Sequence, residues 1–346
     1  MKYLNKILFI GSIQWGQQST GGGIQTKNQL LLRYLENRIK EIELYDTYNK
    51  NAISVLIHSL ILILRNNKNT PVIFSIAFRG SYTIVLACKL MGLQRNFYLI
   101  APGGNLNTYL RRSSSFKQRI FKSFEKIYVQ AYYLQKDLME MGFENCSILS
   151  NFKPIIYTPN KTKERKNIFK FVYLSRITAD KGVEEIIEAV KILNRKDVCV
   201  DFYGKILEPY TDSFFDNLQN LNIYYKGFLD LNKEDGYKLL SDYDALLFPT
   251  YFNGEGFPGT LIDSFIAGVP AIATRFHANE EIIKDGENGL LIPIKDAKEL
   301  SNAMLMLIDN HSVVEKLRKG AIESAKKYDI NSVLDNLLQD INIKNV

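Results

Sequence analysis

The sequence predicts an α/β protein of two doubly wound, Rossmann-like domains in tandem, and three observations carry that reading. The chain has 346 residues, more than one ordinary open-sheet domain needs. Short apolar, β-rich runs alternate with stretches of helical periodicity, and the whole series occurs twice. Between the two series, residues 153–167 hold Pro154, Pro159 and the charged run Lys161-Thr162-Lys163-Glu164-Arg165-Lys166, which is linker composition.

In the first series, strands are expected at residues 7–10, 42–45, 72–76, 97–100, 127–129 and 147–149, with helices such as 25–37 and 81–91 between them. Continuous apolar strands alternating with helices belong to parallel sheets covered on both faces. The second series places strands at 169–174, 198–203, 223–225, 245–248, 270–273 and 289–292. Helical patterns follow at 298–308, 313–327 and 332–341. The predicted division is a first domain at 1–158, a second at 167–328, and a last helix at 329–346 that packs back on the first domain. Folds of this kind bind ligands at the carboxyl ends of their strands, so a cleft between the two sheets is the expected site.

Composition narrows the function. Hydrophobic residues at 46% and charged residues at 23% supply both cores and exclude a disordered chain. The apolar run at 7–10 is too short for a signal-peptide core. The longest apolar stretch, 53–64, is broken by His58 and Ser59 and falls short of the roughly 20 residues that span a bilayer. A cytoplasmic protein is therefore expected. Cys88, Cys146 and Cys199 are scattered, without metal-ligand spacing, and read as buried thiols. Up to Asn160 there are 20 Lys and Arg against 8 Asp and Glu, while the remainder has 24 against 29. A basic first domain suits a phosphorylated substrate, an anionic membrane or nucleic acid. No nucleic-acid-binding motif accompanies it, and nucleic acid is not expected as a partner.

The chemistry concentrates in the second domain. In the string from Asp244 to Pro270, a strand ends at Phe248-Pro249, a polar glycine-containing loop follows, and a helix starts near Gly259. Free N–H groups and the helix dipole at such a start can hold a phosphate. Glu255 stands just before that helix and Asp263 eight positions later. Arg176 and Lys181 share the loop after the second domain's first strand, where two cations can converge on a diphosphate.

Taken together, Ser175-Arg176, Lys181-Gly182, Tyr203-Gly204, Lys226-Gly227-Phe228, Phe248-Pro249-Thr250, Glu255-Gly256-Phe257-Pro258, Asp263, Ala267-Gly268-Val269-Pro270 and Gly286-Glu287-Asn288-Gly289 resemble the GT4 family of retaining glycosyltransferases, of GT-B fold. The order and spacing agree over roughly residues 170–295, and a weaker likeness covers almost the whole chain. The resemblance implies transfer of a sugar from a nucleotide-sugar donor, a UDP-sugar, to a glycan or lipid-diphosphate-linked saccharide in surface polysaccharide biosynthesis. It implies Glu255, Arg176 and Lys181 as catalytic residues. Donor binding falls to Gly22, Gly23, Gly204, Phe228, Gly256, Phe257, Pro258, Gly259, Thr260, Leu261 and Asp263. No cofactor and no metal are implied, because cations and a helix N-terminus supply the positive charge.

Three features stand beside that pattern. Asp263 occupies a position where the family usually has Glu. Family members often carry a histidine after the fourth strand of the first domain, where this chain has Ala101-Pro102-Gly103-Gly104-Asn105-Leu106; among His58, His277 and His311, only His277 follows a strand that ends at the expected site. Asp242-Tyr243-Asp244 spells a metal-diphosphate motif but precedes its strand, so no metal role is assigned. Asn105 and Arg79, each just past a strand end, are candidates for binding the acceptor or the donor sugar. The stretch 111–127 spaces Phe116, Ile120, Phe124 and Ile127 on one helical face among cations. That pattern fits both an interfacial helix and a helix covering the sheet; the basic first half favours contact with an anionic membrane. A catalytically silent glycosyltransferase-like subunit is the alternative function, and the intact Arg176, Lys181 and Glu255 argue against it.

Overall fold

The computed structural model describes residues 6–14, 23–160, 162 and 167–343, which fall into two compact units. Unit 1 comprises Met1–Phe152 with Ile330–Val346, and unit 2 is Lys153–Asp329. The chain therefore leaves unit 1 at Phe152, ahead of the expected boundary at Thr158, and returns to it at Ile330.

Unit 1 has six parallel strands: β1 (Lys6–Gly11), β2 (Glu41–Asp46), β3 (Val72–Ser75), β4 (Phe97–Ile100), β5 (Lys126–Val129) and β6 (Cys146–Ile148). Helices α1 (Gly23–Glu36), α2 (Ala52–Arg65), α3 (Phe78–Leu90), α4 (Leu106–Arg111), α5 (Ser115–Lys122) and α6 (Tyr132–Glu140) link them. The strand order is β2-β1-β3-β4-β5-β6, so the winding reverses between β1 and β3. The central strands are buried along their whole length, which is why they read as unbroken apolar runs.

Unit 2 repeats the plan with β7 (Phe169–Leu174), β8 (Val198–Tyr203), β9 (Ile223–Tyr225), β10 (Ala245–Phe248), β11 (Ala271–Thr274) and β12 (Gly289–Ile292). Its helices are α7 (Val183–Leu193), α8 (Asp212–Asp216), α9 (Glu234–Leu240), α10 (Gly259–Ile266), α11 (Asn279–Ile282), α12 (Ala297–Asp309) and α13 (His311–Ala325). The order β12-β11-β10-β7-β8-β9 reverses between β7 and β10. Arg318 of α13 locks this unit from inside: its Nη1 donates to Gly268 O at 2.7 Å, and its Nε to Asn160 O at 3.0 Å. The two ends of the unit meet where Lys153 N donates to Tyr328 O at 3.0 Å.

The last helix, α14 (Ile330–Ile343), is part of unit 1. Val333, Leu334, Leu337 and Ile341 enter the core formed by Ile7, Phe9, Leu31 and Tyr128. Polar contacts fasten it: Arg38 Nη2 donates to Asn331 Oδ1 at 2.9 Å, Lys126 pairs with Asp340 at 2.8 Å, and the Tyr34 hydroxyl donates to Asp335.

The stretch 111–127 is not one interfacial helix. It divides into α5, a turn at 123–125 and the start of β5, and Ile120, Phe124 and Ile127 are buried in the core while only Phe116 stands out at 54% exposure. β5 pairs with both β4 and β6, and that place between two strands overrides helical periodicity. Among the exposed apolar side chains is a stripe on α2, where Ile53, Ile57 and Ile61 follow at four-residue spacing with Leu64 beside them. No helix among the described residues is long and apolar enough to cross a membrane.

Candidate active site

Reversal of winding leaves a crevice at the carboxyl ends of two adjacent strands, since the loops that follow them run to opposite sides. In unit 2 those strands are β7 and β10, and their loops carry the charged residues singled out from the sequence. The two loops are joined by hydrogen bonds. Tyr251 N donates to Asp180 O at 2.9 Å, and Thr260 Oγ1 donates to Leu174 O at 3.0 Å, fixing the first turn of α10 to the end of β7. Gly182 lies at φ 80° against Pro249, where an added Cβ would collide with the Pro249 carbonyl oxygen. Only glycine lets the two loops close this far.

Within the crevice, Lys181 and Glu255 form an ion pair, with Lys181 buried and Glu255 partly so. The Lys181 ammonium also lies 4.8 Å from the centre of the Phe252 ring, and the exposed Arg176 guanidinium 5.4 Å from the same ring. One aromatic ring thus gathers both cations. The N–H groups of Gly259 and Thr260, in the first turn of α10, have no acceptor within the helix and add their partial positive charge. Arg176, Lys181, Glu255 and the α10 start are brought together; such a site can hold a diphosphate beside a group that hydrogen-bonds to carboxylate.

The other expected residues have varied places. Gly256, Phe257, Pro258 and Leu261 are buried, and Phe257 packs edge-on against Tyr328 at 5.5 Å. Gly204, at φ 140°, lets the end of β8 approach the Ser175 carbonyl, with which any Cβ would collide. Phe228 is 72% exposed after β9. Asp263 is only 5% exposed: its Oδ1 accepts from the Tyr237 hydroxyl at 2.7 Å and its Oδ2 pairs with Lys153 at 3.0 Å. Burial, with the charge of Asp263, pushes the Tyr237 hydroxyl well up, so it remains a donor.

In unit 1, Gly22 lies outside the described residues, and Gly23 begins α1. The β1/β3 crevice is spanned by Asn28, whose Nδ2 donates to Ser12 O at 2.9 Å and Ser75 O at 3.2 Å. Asn105 and Arg79 are both exposed, at the start of α4 and in the first turn of α3. Two residues escaped attention in the sequence. Lys27 of α1 is 8% exposed and its Nζ has no hydrogen-bond partner among the described residues; burial lowers its pKa to about 7. Lys153, at the edge of the linker, is the partner of Asp263. Neither signals itself by composition, because only the folded surroundings make them unusual.

Asp244 Oδ2 accepts from Lys170 N at 2.8 Å at the amino end of β10, away from the crevice. Among the described residues no group of three or more His, Cys, Asp or Glu is placed to hold a metal ion.

Residues 157–328 match the family model described as glycosyl transferases group 1. The chain belongs to the group 1 glycosyl transferases, through its second unit. This group 1 glycosyl transferase is 26% identical over 248 residues to an uncharacterized glycosyltransferase of Methanocaldococcus jannaschii, covering 64% of the chain and 61% of that protein. It is 26% identical over 216 residues to the N,N'-diacetylbacillosaminyl-diphospho-undecaprenol alpha-1,3-N-acetylgalactosaminyltransferase of Campylobacter jejuni, covering 62% and 51%. The matched chain thus spans between half and two thirds of these two relatives. The Anabaena HepE structure with UDP superposes with TM-score 0.76 at 15% identity, covering 98% of this chain and 100% of that one. The same protein was also solved with UDP-glucose. At that identity the likeness concerns the fold: both units have the Rossmann-like architecture of GT-B glycosyltransferases.

Proposed function

We propose that this group 1 glycosyl transferase is a retaining enzyme of the GT4 type. It takes a sugar from a UDP-sugar and places it on a glycan or a lipid-diphosphate-linked saccharide during surface polysaccharide assembly. The observation that carries this reading is the convergence of Arg176, Lys181, Glu255 and the α10 N-terminus on the β7/β10 crevice. Cations and helix N–H groups there would stabilise the departing diphosphate, while Glu255 holds the transferred sugar. Gly22, Gly23, Gly204 and Phe228 would meet the donor, Asp263 the ribose, and Arg79 and Asn105 the acceptor. Positive charge from the protein replaces a metal. The names of the HepE complexes support the donor class, and the name of the Campylobacter relative supports the acceptor class.

The proposal extends to location: the enzyme works on the cytoplasmic side, in peripheral contact with an anionic leaflet. Support comes from the basic excess of the first 160 residues and from the exposed stripe of α2, which lies between Lys50 and the pair Arg65 and Lys68.

The test is a thermal-shift and hydrolysis screen against UDP-, GDP-, ADP- and CMP-sugars, with and without EDTA. A ligand at 100 times its Kd stabilises a protein by about 2.7 kcal/mol. Stabilisation by UDP-sugars with slow, EDTA-insensitive hydrolysis is expected. If no nucleotide class binds, the transferase reading fails and the silent-subunit alternative replaces it; inhibition by EDTA removes the metal-free mechanism alone.

A further inference from the structure

No Asp or Glu occurs between Asp46 and Glu125, a stretch that carries eleven Lys and Arg and forms α2 to α5 with β3 and β4. Cations there have no carboxylate close in sequence. All of them are exposed except Arg95 and Lys117, and Arg95 directs its Nη2 to Ile63 O at 3.2 Å. Lys117 is half-buried, and among the described residues its ammonium has neither a hydrogen bond nor an ion pair. It stands instead 5.2 Å from the centre of the Tyr82 ring and 5.5 Å from that of Tyr109. Ring faces attract an ammonium but leave its three N–H donors unused. Packing fixes both rings. Phe78 meets Tyr109 at 5.5 Å, and the buried Phe121 lies nearly parallel to Tyr82 at 6.3 Å and edge-on to Tyr109 at 6.1 Å, so α3, α4 and α5 share one cluster. The Tyr109 hydroxyl is shielded from water and has no hydrogen-bond partner among the described residues. A cation with idle donors beside an unpaired hydroxyl is an arrangement that an oxyanion satisfies.

We propose that Lys117, with Tyr82 and Tyr109, binds the diphosphate of a lipid-linked saccharide, with Arg79 and Arg112 at the rim of the site. The inference rests on the proposed transfer reaction and narrows its acceptor to the lipid-diphosphate class. Position agrees with that role. β3 and β4 are neighbours in the sheet, and α3 and α4 follow them, so the cluster lies by the carboxyl edge, where ligands of such sheets bind. Tyr82 is about 6 Å along α3 from its start. Arg79 precedes Tyr82 by three residues and Arg112 follows Tyr109 by three, which puts each arginine on the side of the chain that carries the ring. Phe116, next to Lys117 and 54% exposed, offers an apolar face for the start of the lipid. Charge decides among the acceptor classes. A neutral glycan leaves the ammonium unpaired. A leaflet presents single phosphates across a plane, which suits the aliphatic stripe of α2 rather than one cation flanked by two rings. A diphosphate brings two phosphoryl groups to three cations.

Farnesyl diphosphate is the probe. Its binding to the full chain is measured with UDP saturating, so that the β7/β10 crevice is filled, with farnesol as the control and flotation on phosphatidylglycerol vesicles alongside. The wild type is expected to bind farnesyl diphosphate and not farnesol. Lys117→Gln should lose about 10- to 100-fold in affinity, the size of a hydrogen bond to a charged group. Lys117→Arg should recover most of that loss, since a guanidinium keeps the charge and stacks on aromatic rings. Tyr109→Phe removes an unpaired hydroxyl, so its Tm should be unchanged or higher while affinity falls about fivefold. All three variants should bind UDP within about twofold of the wild type and float as it does. Unchanged farnesyl diphosphate affinity in Lys117→Gln or in Tyr109→Phe overturns the proposal, as does equal binding of farnesol by the wild type. Flotation lost in Lys117→Gln while farnesyl diphosphate binding stays intact assigns the cation to the leaflet and overturns it too. A wild type that does not bind UDP overturns the transfer reaction itself, and is recognised before any farnesyl compound is added.

Discussion

Lys153 and Asp263 are 110 positions apart in sequence and pair at 3.0 Å, joining the first residue of unit 2 to the buried face of α10. The same carboxylate takes the Tyr237 hydroxyl at 2.7 Å. The helix whose N-terminus opens on the crevice is thereby held from behind by a lysine of the linker and a tyrosine of α9.

Breaking that arrangement is expected to be felt first in stability. Asp263→Ala strands an ammonium and a buried hydroxyl and should cost about 2 to 4 kcal/mol in urea unfolding. Asp263→Asn keeps the shape and one acceptor and should cost less. Affinity for UDP, measured on the same variants below their unfolding midpoint, decides the ribose contact: a Kd that does not move confines Asp263 to anchoring α10.

Arg176 and Lys181 should behave differently although they stand over the same aromatic ring. Arg176 is exposed, so Arg176→Ala should lie within about 0.5 kcal/mol of wild type in stability yet lose about 100-fold or more in turnover. Lys181 is buried against Glu255, so Lys181→Ala should lose both activity and about 2 to 3 kcal/mol of stability, having left a carboxylate uncompensated. Full turnover in Arg176→Ala would remove that residue from the site.

Lys27 makes a prediction about pH. Its folded pKa of about 7 lies below the ordinary value of 10.5, so between those pH values the unfolded chain binds more protons. Stability contributed by this residue therefore rises as pH goes from about 7 to 10.5, and burial costs most below pH 7. Lys27→Met should raise stability at pH 7 by up to about 4 kcal/mol, and the gain should fade toward pH 10. Urea unfolding of both proteins at about pH 7 and about pH 10 measures this; equal gains at the two pH values would show that Lys27 is not buried uncharged.

Flotation with vesicles tests the exposed stripe of α2. The protein should rise with vesicles rich in phosphatidylglycerol and remain behind with phosphatidylcholine alone. The pair Ile57→Glu and Ile61→Glu, both on solvent-facing positions, should abolish flotation with little change in Tm. Retained flotation would place membrane contact elsewhere, and none in the wild type would end the peripheral assignment.

Much of the fold could be read from the sequence because parallel strands buried on both faces must be apolar throughout. Phe97–Ile100 and Ala245–Phe248 show this in four residues each. The same signal misled at 111–127, where a helix, a turn and the start of a strand share one apparent periodicity. Phe124 and Ile127 answer to the sheet, and nothing local says so. That Arg176, Lys181 and Glu255 would come together was legible because their loops follow the ends of neighbouring strands, β7 and β10. The hold of Tyr237 and Lys153 on Asp263 and the burial of Lys27 were not, because each depends on residues far apart in sequence meeting in space.

The return of α14 to unit 1 bears on the order in which the chain can mature. Unit 2 has every residue of its core once Asp329 has been made. Unit 1 begins first, yet Leu31, Phe9 and Tyr128 wait for Leu334, Leu337 and Ile341 to cover them. Domains usually fold as they emerge during synthesis, amino-terminal first. Here the earlier half stays unfinished until the last turns of helix leave the ribosome, so a premature stop after Asp329 would spare unit 2 with its crevice and leave the other half with an open core.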